Sequence, residues 1–183
     1  DSLSRGSSRG VRGRLVEGVL RDKGALRRVF QGFPIEAVMH FAASIEAGES
    51  MKDPGKFFHN NLVNSLHLIE TAVETDVTRF VLSSTAAVYQ SSEEPLSEES
   101  ALGPTSVYGQ TKWMVEQALD WYRQIHGLHF AALRYFNACG ALPNRGEAHQ
   151  PESHLIPLVL KVPVGERDSA NVYGTDYPTP DGT

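Results

Sequence analysis

The sequence predicts an α/β fold built on a doubly wound parallel sheet. Short apolar runs rich in β-branched and aromatic residues alternate along the chain with longer segments of helical periodicity. Small or polar residues follow most of these runs, at the positions where ligands bind on a parallel sheet. The length of 183 residues suits one domain with a hydrophobic core. We therefore expect strands joined by right-handed helical crossovers, with helices covering both faces of the sheet.

The first part of the chain predicts a loop, a strand, a helix and a second strand. Residues 1–13 are rich in Gly, Ser and Arg, which is typical of a loop or a flexible terminus. Arg14–Gly18 predicts a short strand, and Asp22 predicts the N-cap of a helix that ends at Gly32. Ile35–Ala43 predicts a buried strand that runs into small residues, which let a ligand approach the backbone closely.

The middle of the chain predicts two long helices with a strand and a loop between them. Pro54–Thr75 carries an apolar stripe at helical spacing. Arg79–Ser83 is a short apolar run that predicts a strand, and the acidic segment Ser91–Gly103 predicts a surface loop. Ser106–His126 predicts the second long helix, and Gly127 is suited to end it.

The last part of the chain predicts one further clear strand, Phe130–Phe136. A long loop follows it. A short helix near Ser153–Leu160 and a strand near Asn171–Tyr173 are the last predicted elements.

Composition and charge limit the classes of protein. With 40% apolar and 21% charged residues, the chain has the composition of an ordinary globular protein. Its net charge of −5 argues against nucleic acid or an anionic membrane surface as the main partner, and no apolar run is long enough to span a bilayer. The one cysteine, Cys139, fits a reducing compartment, so we expect a cytoplasmic location. The seven histidines show no metal-ligand pattern, and we expect no metal site.

Tyr108 and Lys112 form the pair with the most distinctive chemistry. They lie four residues apart in a predicted helix and therefore share one helix face. Free tyrosine titrates near ~10, and a nearby cation lowers that pKa by roughly 1–3 units, so this phenol is a candidate base. Thr85, which follows the preceding strand, can supply a hydroxyl beside the phenol. Together the three side chains predict a site that moves a proton of a substrate alcohol.

A longer stretch of sequence carries this pattern. Residues 81–89 read VLSSTAAVY, and residues 106–112 read SVYGQTK. These two segments resemble the extended branch of the short-chain dehydrogenase/reductase superfamily, and within it the UDP-glucose 4-epimerase family. The resemblance implies a Rossmann-like NAD-binding domain over residues 1–137 and the beginning of a small substrate-binding region over residues 138–183.

The resemblance also implies an activity, the NAD-dependent interconversion of UDP-glucose and UDP-galactose in galactose metabolism. As it implies, Tyr108 takes the proton of the sugar 4-hydroxyl while hydride passes from C4 to NAD, and the transient 4-keto sugar rotates before the hydride returns. Thr85 would hydrogen-bond the 4-hydroxyl. Lys112 would hold the nicotinamide ribose and keep the phenol acidic.

The resemblance assigns further residues to the two ligands. Together with Tyr108 and Lys112, it implies these cofactor-binding residues: Asp1, Phe41, Ala42, Ala43, Asn61, Ser83 and Tyr135. It implies these residues for the UDP-sugar: Thr85, Tyr108, Asn137, His154, Leu155 and Tyr173. A carboxylate at Asp1 would accept a hydrogen bond from the 2′-hydroxyl of the adenosine ribose and repel a 2′-phosphate, which favours NAD over NADP.

The sequence departs from the family pattern at three places. The family's phosphate-binding glycine loop precedes the acidic residue matched by Asp1, and it is absent from these residues. We therefore expect this chain alone to form an incomplete sheet, to bind NAD poorly and to be inactive. Val19 and Ile45 stand where members of the family often have an acidic residue and a lysine.

Three other functions stay open. A nucleotide-sugar 4,6-dehydratase needs an additional acid and base after Thr85, and Ala86 and Ala87 cannot move a proton, which disfavours that reaction. An epimerase acting on another nucleotide sugar would use the same three catalytic residues. A non-catalytic domain fragment is the alternative of a different class.

The two long predicted helices suggest a homodimer. Both carry apolar residues beyond one narrow stripe, including Trp113 and Trp121 on the second helix. A helix packed on a sheet needs only one apolar face. We therefore expect these helices to pair with those of a second subunit in the complete protein, as relatives of this family do.

Overall fold

The computed structural model describes residues 2–4, 8, 11–143, 146, 152–172, 174–177, 179, 180 and 182. The chain divides into two compact units. One contains Arg14–Ala138, and the other contains Leu3–Gly13 and Cys139–Thr183. Asp1 and Tyr173, two of the residues assigned to ligands by resemblance, lie outside the described residues.

Helices and strands alternate through the first unit. Its helices are α1 (Lys23–Gly32), α2 (Ala47–Ser50), α3 (Pro54–Phe57), α4 (Asn64–Glu74) and α5 (Val107–His126). Its strands are β1 (Val38–His40), β2 (Arg79–Thr85) and β3 (His129–Tyr135). A π-helical segment, Phe58–Val63, joins α3 to α4, and a 3₁₀ turn, Ala86–Val88, follows β2. In the second unit, Leu155–Leu160 forms α6.

The strands form a parallel sheet in the order β1-β2-β3. The central strand β2 aligns Leu82 with His40 of β1, and Thr85 with Tyr135 of β3. Because all three strands run the same way, their carboxyl ends meet at one edge of the sheet. That edge is where the sequence predicts the reactive side chains.

The hydrophobic core lies between one face of the sheet and the helices α4 and α5. Ten buried apolar residues form it: Val38, Leu68, Ile69, Ala72, Val77, Phe80, Leu82, Val115, Leu119 and Leu128. Each large side chain that is fully buried there stabilises the fold by roughly 1.5–3 kcal/mol relative to an exposed one.

The second face of the sheet is open in the described residues. Met39 and Leu133 point to that face and are 63% and 39% exposed. The structure therefore shows helices packed against one face, where the sequence predicts a cover on both. This difference leaves the parallel α/β architecture itself as expected.

The long helix predicted over Pro54–Thr75 forms, but it is not α-helical throughout. It begins where the Asp53 carboxylate accepts a hydrogen bond from the Lys56 backbone N–H at 3.2 Å. A π turn holds an extra residue, which changes the direction in which later side chains point. Asn61 within the π segment and Leu68 in α4 are both buried.

The predicted boundaries of α5 hold closely. Ser106 caps the start, and its hydroxyl accepts the Gly109 N–H at 3.1 Å. Gly127 ends the helix with a φ of 70°, a left-handed conformation that favours glycine. The N-cap of α1 is Asp22, as predicted, and its carboxylate accepts the Ala25 N–H at 2.9 Å.

The predicted strand Arg14–Gly18 does not form, the described part of Asn171–Tyr173 is not a strand, and a third predicted strand is shorter. Arg14–Gly18 is irregular, because its apolar side chains stay substantially exposed and burial does not hold an extended conformation there. Asn171 and Val172 are also irregular, and Val172 is 70% exposed. Ile35–Ala43 forms a strand only over β1, where side chains are buried against the core.

Candidate active site

The amino end of α5 holds the predicted base close to the end of β2. Tyr108 lies in the first turn of the helix and Lys112 one turn later. The helix approaches the 3₁₀ turn after β2 so closely that a Cβ on Gly109 would lie 2.3 Å from the Ala87 carbonyl oxygen. Because only glycine permits that approach, Gly109 sets the spacing between α5 and the turn.

The Thr85 side chain lies beside the Tyr108 phenol and lowers its pKa. The Thr85 Oγ1 also accepts the Ala87 N–H at 3.2 Å, which leaves the hydroxyl proton of Thr85 free to point at the phenol. Burial raises the pKa of Tyr108, and the Thr85 side chain opposes that rise. The sequence-based expectation of a lowered pKa is therefore wrong for the ligand-free site, because desolvation of the phenolate outweighs the groups that favour it.

Lys112 is a buried cation with a single protein acceptor among the described residues. Its side chain reaches β2, where Nζ donates to the Ser83 carbonyl at 2.7 Å. The residue is 4% exposed, and burial lowers the pKa of the ammonium to about 8. It is therefore mostly charged at neutral pH, and two of its three N–H donors are available to a ligand.

His40, at the end of β1, stays neutral beside this cation. Burial, and to a smaller extent the charge of Lys112, lower the pKa of His40 to about 4. The Ser65 hydroxyl donates to the Asn61 carbonyl, so it must accept its 2.7 Å hydrogen bond from Nε2–H of His40. His40 therefore presents a bare Nδ1 and adds no positive charge to the site.

Asn61 fastens the segment that follows β1. Its Oδ1 accepts the Ser44 N–H at 2.8 Å, and its Nδ2 donates to the Ser44 carbonyl at 2.9 Å. The same Nδ2 donates to the Thr111 hydroxyl at 3.3 Å. These side-chain hydrogen bonds of Asn61 are all to the protein, and its assigned contact with a cofactor stays a prediction.

The residues assigned by resemblance to the carboxyl edge of the sheet are brought together there. Phe41, Ala42 and Ala43 follow β1, and Phe41 is 56% exposed. Tyr135 ends β3 and is 41% exposed. Asn137 is exposed two residues later.

The other assigned substrate residues lie in the second unit. His154 and Leu155 are at the start of α6, and both are exposed. The His154 ring nitrogen Nδ1 lies 2.8 Å from the Glu152 carboxylate. Their assignment to a UDP-sugar stays a prediction, as do those of Asp1 and Tyr173.

A second buried polar cluster, which sequence reasoning missed, lies beside the first. It consists of Ser84, Glu116, Arg134 and Tyr89 and is called here the Glu116 cluster. Ser84 donates to Glu116, which also accepts a 2.7 Å hydrogen bond from the Arg134 guanidinium. Arg134 donates to the Tyr89 hydroxyl at 3.0 Å and lies over the Tyr89 ring at 4.9 Å from its centroid. The signal for this cluster is the spacing of Glu116 four residues after Lys112, on the same helix face.

The group formed by Tyr108, Lys112, Thr85 and Ser83 is called here the Tyr108 cluster. It can hold a substrate hydroxyl between the phenol and the threonine and can present a fixed positive charge to a second ligand. A groove of about 980 Å³ runs along α5 and β3. It is lined by Trp113, Trp121 and Leu133 and also by Tyr135 and three residues of the Glu116 cluster, Tyr89, Glu116 and Arg134. We assign the candidate site to the Tyr108 cluster, because it combines perturbed titratable groups with the ligand-binding edge of the sheet.

Two features are absent from the described residues. Within the described ranges, no group of three or more His, Cys, Asp or Glu side chains could hold a metal ion. None of the helices described above has both the length and the apolar composition needed to cross a membrane.

Curated relatives cover the whole of this chain. The UDP-glucose 4-epimerase of Rhizobium meliloti (strain 1021) is 44% identical over 187 residues, an alignment that covers 100% of this chain and 57% of that protein. The UDP-glucose 4-epimerase of Lacticaseibacillus casei is 41% identical over 188 residues, again with 57% of its length covered. The chain thus spans little more than half the length of these relatives.

Solved structures show the same likeness in three dimensions. The crystal structure of UDP-glucose 4-epimerase from Brucella ovis in complex with NAD has a TM-score of 0.95 and 40% identity, and covers 99% of this chain and 57% of that one. This likeness confirms the Rossmann-like α/β fold class. The family model described as the NAD dependent epimerase/dehydratase family matches residues 1–179, and the chain belongs to that family.

Proposed function

We propose that the complete protein catalyses NAD-dependent epimerisation at C4 of a UDP-hexose, interconverting UDP-glucose and UDP-galactose through a transient 4-keto sugar. The observation that carries this proposal is the placement of Tyr108 beside Thr85, and one helix turn from the buried cation Lys112, at the carboxyl edge of a parallel sheet. The names of the relatives support the same substrate.

The chain's residues divide the proton chemistry between them. The Thr85 hydroxyl fixes the position of the sugar 4-hydroxyl, and the phenol oxygen of Tyr108 accepts its proton when C4 is oxidised and returns it when C4 is reduced. Because burial raises the pKa of Tyr108, the phenol is protonated in the ligand-free protein at neutral pH. Thr85 favours the phenolate, but it does not offset the desolvation by itself.

The Tyr108 cluster fits the nicotinamide end of NAD. Lys112 has two N–H donors for ribose hydroxyls, and Phe41, Ala42 and Ala43 would line the cofactor. When bound, NAD would supply the hydride acceptor for C4 and a positive charge that favours the phenolate. His40 is neutral, so it would not repel that charge.

The small residues after Thr85 bear on the reaction type. Dehydration needs a further acid and base, and the 3₁₀ turn presents the methyl groups of Ala86 and Ala87 there. This composition favours epimerisation over dehydration. Another nucleotide sugar as substrate is an outcome of the activity test below, in which each candidate sugar is assayed.

The proposal is tested by Tyr108→Phe in the complete natural protein, assayed with UDP-galactose and with each other candidate nucleotide sugar. We expect the rate of epimerisation to fall by roughly 10²–10⁴, because the substitution removes the proton carrier. The control is Tyr122→Phe, which makes the same change farther along α5. Tyr108→Phe enzyme that keeps most of its activity would show that the phenol is not the base.

The assembly and cellular context belong to the same proposal. A homodimer formed through the two long helical segments, a cytoplasmic location and a role in galactose metabolism stay predictions. So do the division into an NAD-binding domain over residues 1–137 and a substrate-binding region from 138 onward, and the inactivity of residues 1–183 alone. Sedimentation of the complete protein at micromolar concentration would test the dimer, and a monomer would contradict it.

A further inference from the structure

We propose that Ser50 and Thr111 are positioning residues for Tyr108: they hold its backbone from two sides and so fix the phenol against Thr85. The inference rests on the proposed function for its kinetic consequence, but its geometric content does not. Neither residue was singled out from the sequence, and each contacts the backbone of Tyr108 rather than its phenol.

Ser50 holds the N–H of Tyr108. In the first turn of a helix the backbone N–H groups have no partner within the helix. Ser106 supplies an acceptor for Gly109, and Ser50, 58 residues away in sequence from Tyr108, supplies one for Tyr108 at 3.0 Å. The Ser50 hydroxyl proton is donated to the Ala47 carbonyl at 2.6 Å, so Oγ faces Tyr108 with its lone pairs. Ser50 is fully buried, which excludes water as a substitute partner.

Thr111 holds the carbonyl of Tyr108. Its hydroxyl donates to that carbonyl at 2.8 Å and accepts a hydrogen bond from Nδ2 of Asn61 at 3.3 Å. Asn61 is itself fixed to both backbone groups of Ser44. Thr111 is fully buried and Asn61 is 2% exposed, so this chain of hydrogen bonds is shielded from solvent.

The two contacts connect Tyr108 to a single segment of chain. Ser44 and Ser50 both belong to the connection between β1 and α3, which begins with the residues expected to line the cofactor. The base is therefore fastened to the cofactor-lining segment at two points, on its N–H side and on its carbonyl side. A displacement of a reacting group by about 1 Å can cost roughly 10² in rate, so loosening either contact should slow the chemical step.

The kinetic test uses a matched set of threonine variants in the complete natural protein. Thr111→Val keeps the shape and removes the hydroxyl, and Thr111→Ser keeps the hydroxyl. Thr71→Val is the control, because Thr71 is 2% exposed and its hydroxyl donates to the His67 carbonyl of its own helix at 2.7 Å, far along the sequence from Tyr108. We expect Thr111→Val to lower kcat about tenfold to a hundredfold with KM little changed, and Thr111→Ser to restore kcat. Thr71→Val should leave kcat as in the wild type.

A kcat near that of the wild type in Thr111→Val, or an equal loss in Thr71→Val, would overturn the positioning role. A geometric test separates this outcome from failure of the proposed function. In Ser50→Ala, the Tyr108 amide should exchange with solvent hydrogen much faster than in the wild type, while the Gly109 amide, capped by Ser106, keeps its protection. Unchanged exchange at Tyr108 overturns the proposal even in a protein without epimerase activity, and faster exchange supports it there.

Discussion

The two buried polar clusters on either side of the end of β2 differ in how their charges are balanced. In the Glu116 cluster, a carboxylate and a guanidinium face each other, and the remaining acceptors of Glu116 are used by Ser84. Glu116 raises the pKa of Arg134, so the pair reinforces its own charged state. In the Tyr108 cluster, the cation Lys112 has only a carbonyl as its protein acceptor in the described part of the chain, and burial lowers its pKa.

This difference distinguishes a buried charge that stabilises the fold from a buried charge that is available for chemistry. A buried ion pair whose hydrogen bonds are satisfied has nothing to offer a ligand. A buried cation without a counter-charge, next to a phenol that resists ionisation, is stabilised when a bound ligand supplies the missing counter-charge or hydrogen-bond acceptors. Helix α5 carries both arrangements on one face, with Lys112 and Glu116 a single turn apart.

The largest effect on stability should come from breaking the balanced cluster. Glu116→Ala leaves Arg134 without its carboxylate, and removal of one partner of a buried pair costs about 3–5 kcal/mol. Since the Arg134 side chain is 22% exposed, we expect the free energy of unfolding to fall by the lower part of that range, measured by urea denaturation.

The control for this change is Asp120→Ala, which removes an ion pair with Arg123 from the exposed side of the same helix. Surface pairs contribute little, so its stability should stay close to that of the wild type. Equal stability losses in the two variants would show that the Glu116 cluster is not the structural one.

Acid should destabilise the protein through His40, which lies beside Lys112 of the Tyr108 cluster. The folded pKa of His40 is about 4, well below 6.5, so between these values the unfolded state binds a proton that the folded state does not. Stability from this group is full above pH 6.5 and falls as the pH drops through about 4, by about 3 kcal/mol in total. The comparison is the pH dependence of unfolding in wild type and His40→Gln, whose amide can still donate to Ser65. Parallel curves would place the acid sensitivity elsewhere.

Removal of the unbalanced cation should stabilise the protein while it abolishes the activity. Lys112→Met keeps an apolar stem in the buried position and removes a charge whose burial is unfavourable, so we expect a gain of roughly 1–3 kcal/mol at pH 7. Between about pH 8 and 10.5, the unfolded wild-type chain binds more protons at Lys112 than the folded protein does. The stability of the wild type therefore rises with pH across that window and approaches the stability of the variant. A variant less stable than the wild type at pH 7 would mean that the Ser83 hydrogen bond outweighs desolvation.

The sequence predicted the parts of the site that depend on local spacing. Tyr108 and Lys112 are four residues apart in a helix whose caps are readable, and Thr85 follows an apolar run. The pairing of Ser84 with Arg134 across the sheet, which brings the Glu116 cluster together, depends on a register that no local pattern encodes. The raised pKa of Tyr108 could not be predicted either, because burial is a property of the folded chain.

The fold was predictable where a helix or strand buries a clear stripe of apolar side chains. Arg14–Gly18 has the residues of a strand, but pattern alone does not say whether a partner strand or a packed face is available. The π segment was hidden for a related reason. Apolar spacing over Pro54–Thr75 fits a continuous helix, and no local pattern marks the residue that the π turn adds.

That extra residue restricts insertions and deletions in this part of the chain. Loss of one residue from Phe58–Val63 would convert the π turn into an ordinary α turn. Because six π-helical residues turn through about the same angle as five α-helical ones, α4 would keep its core stripe in place, but side chains within the segment would change direction and Asn61 would leave Ser44. The surface loop Ser91–Gly103 fastens no residue of the candidate site, so length variation among homologous chains should concentrate in that loop and avoid the π segment.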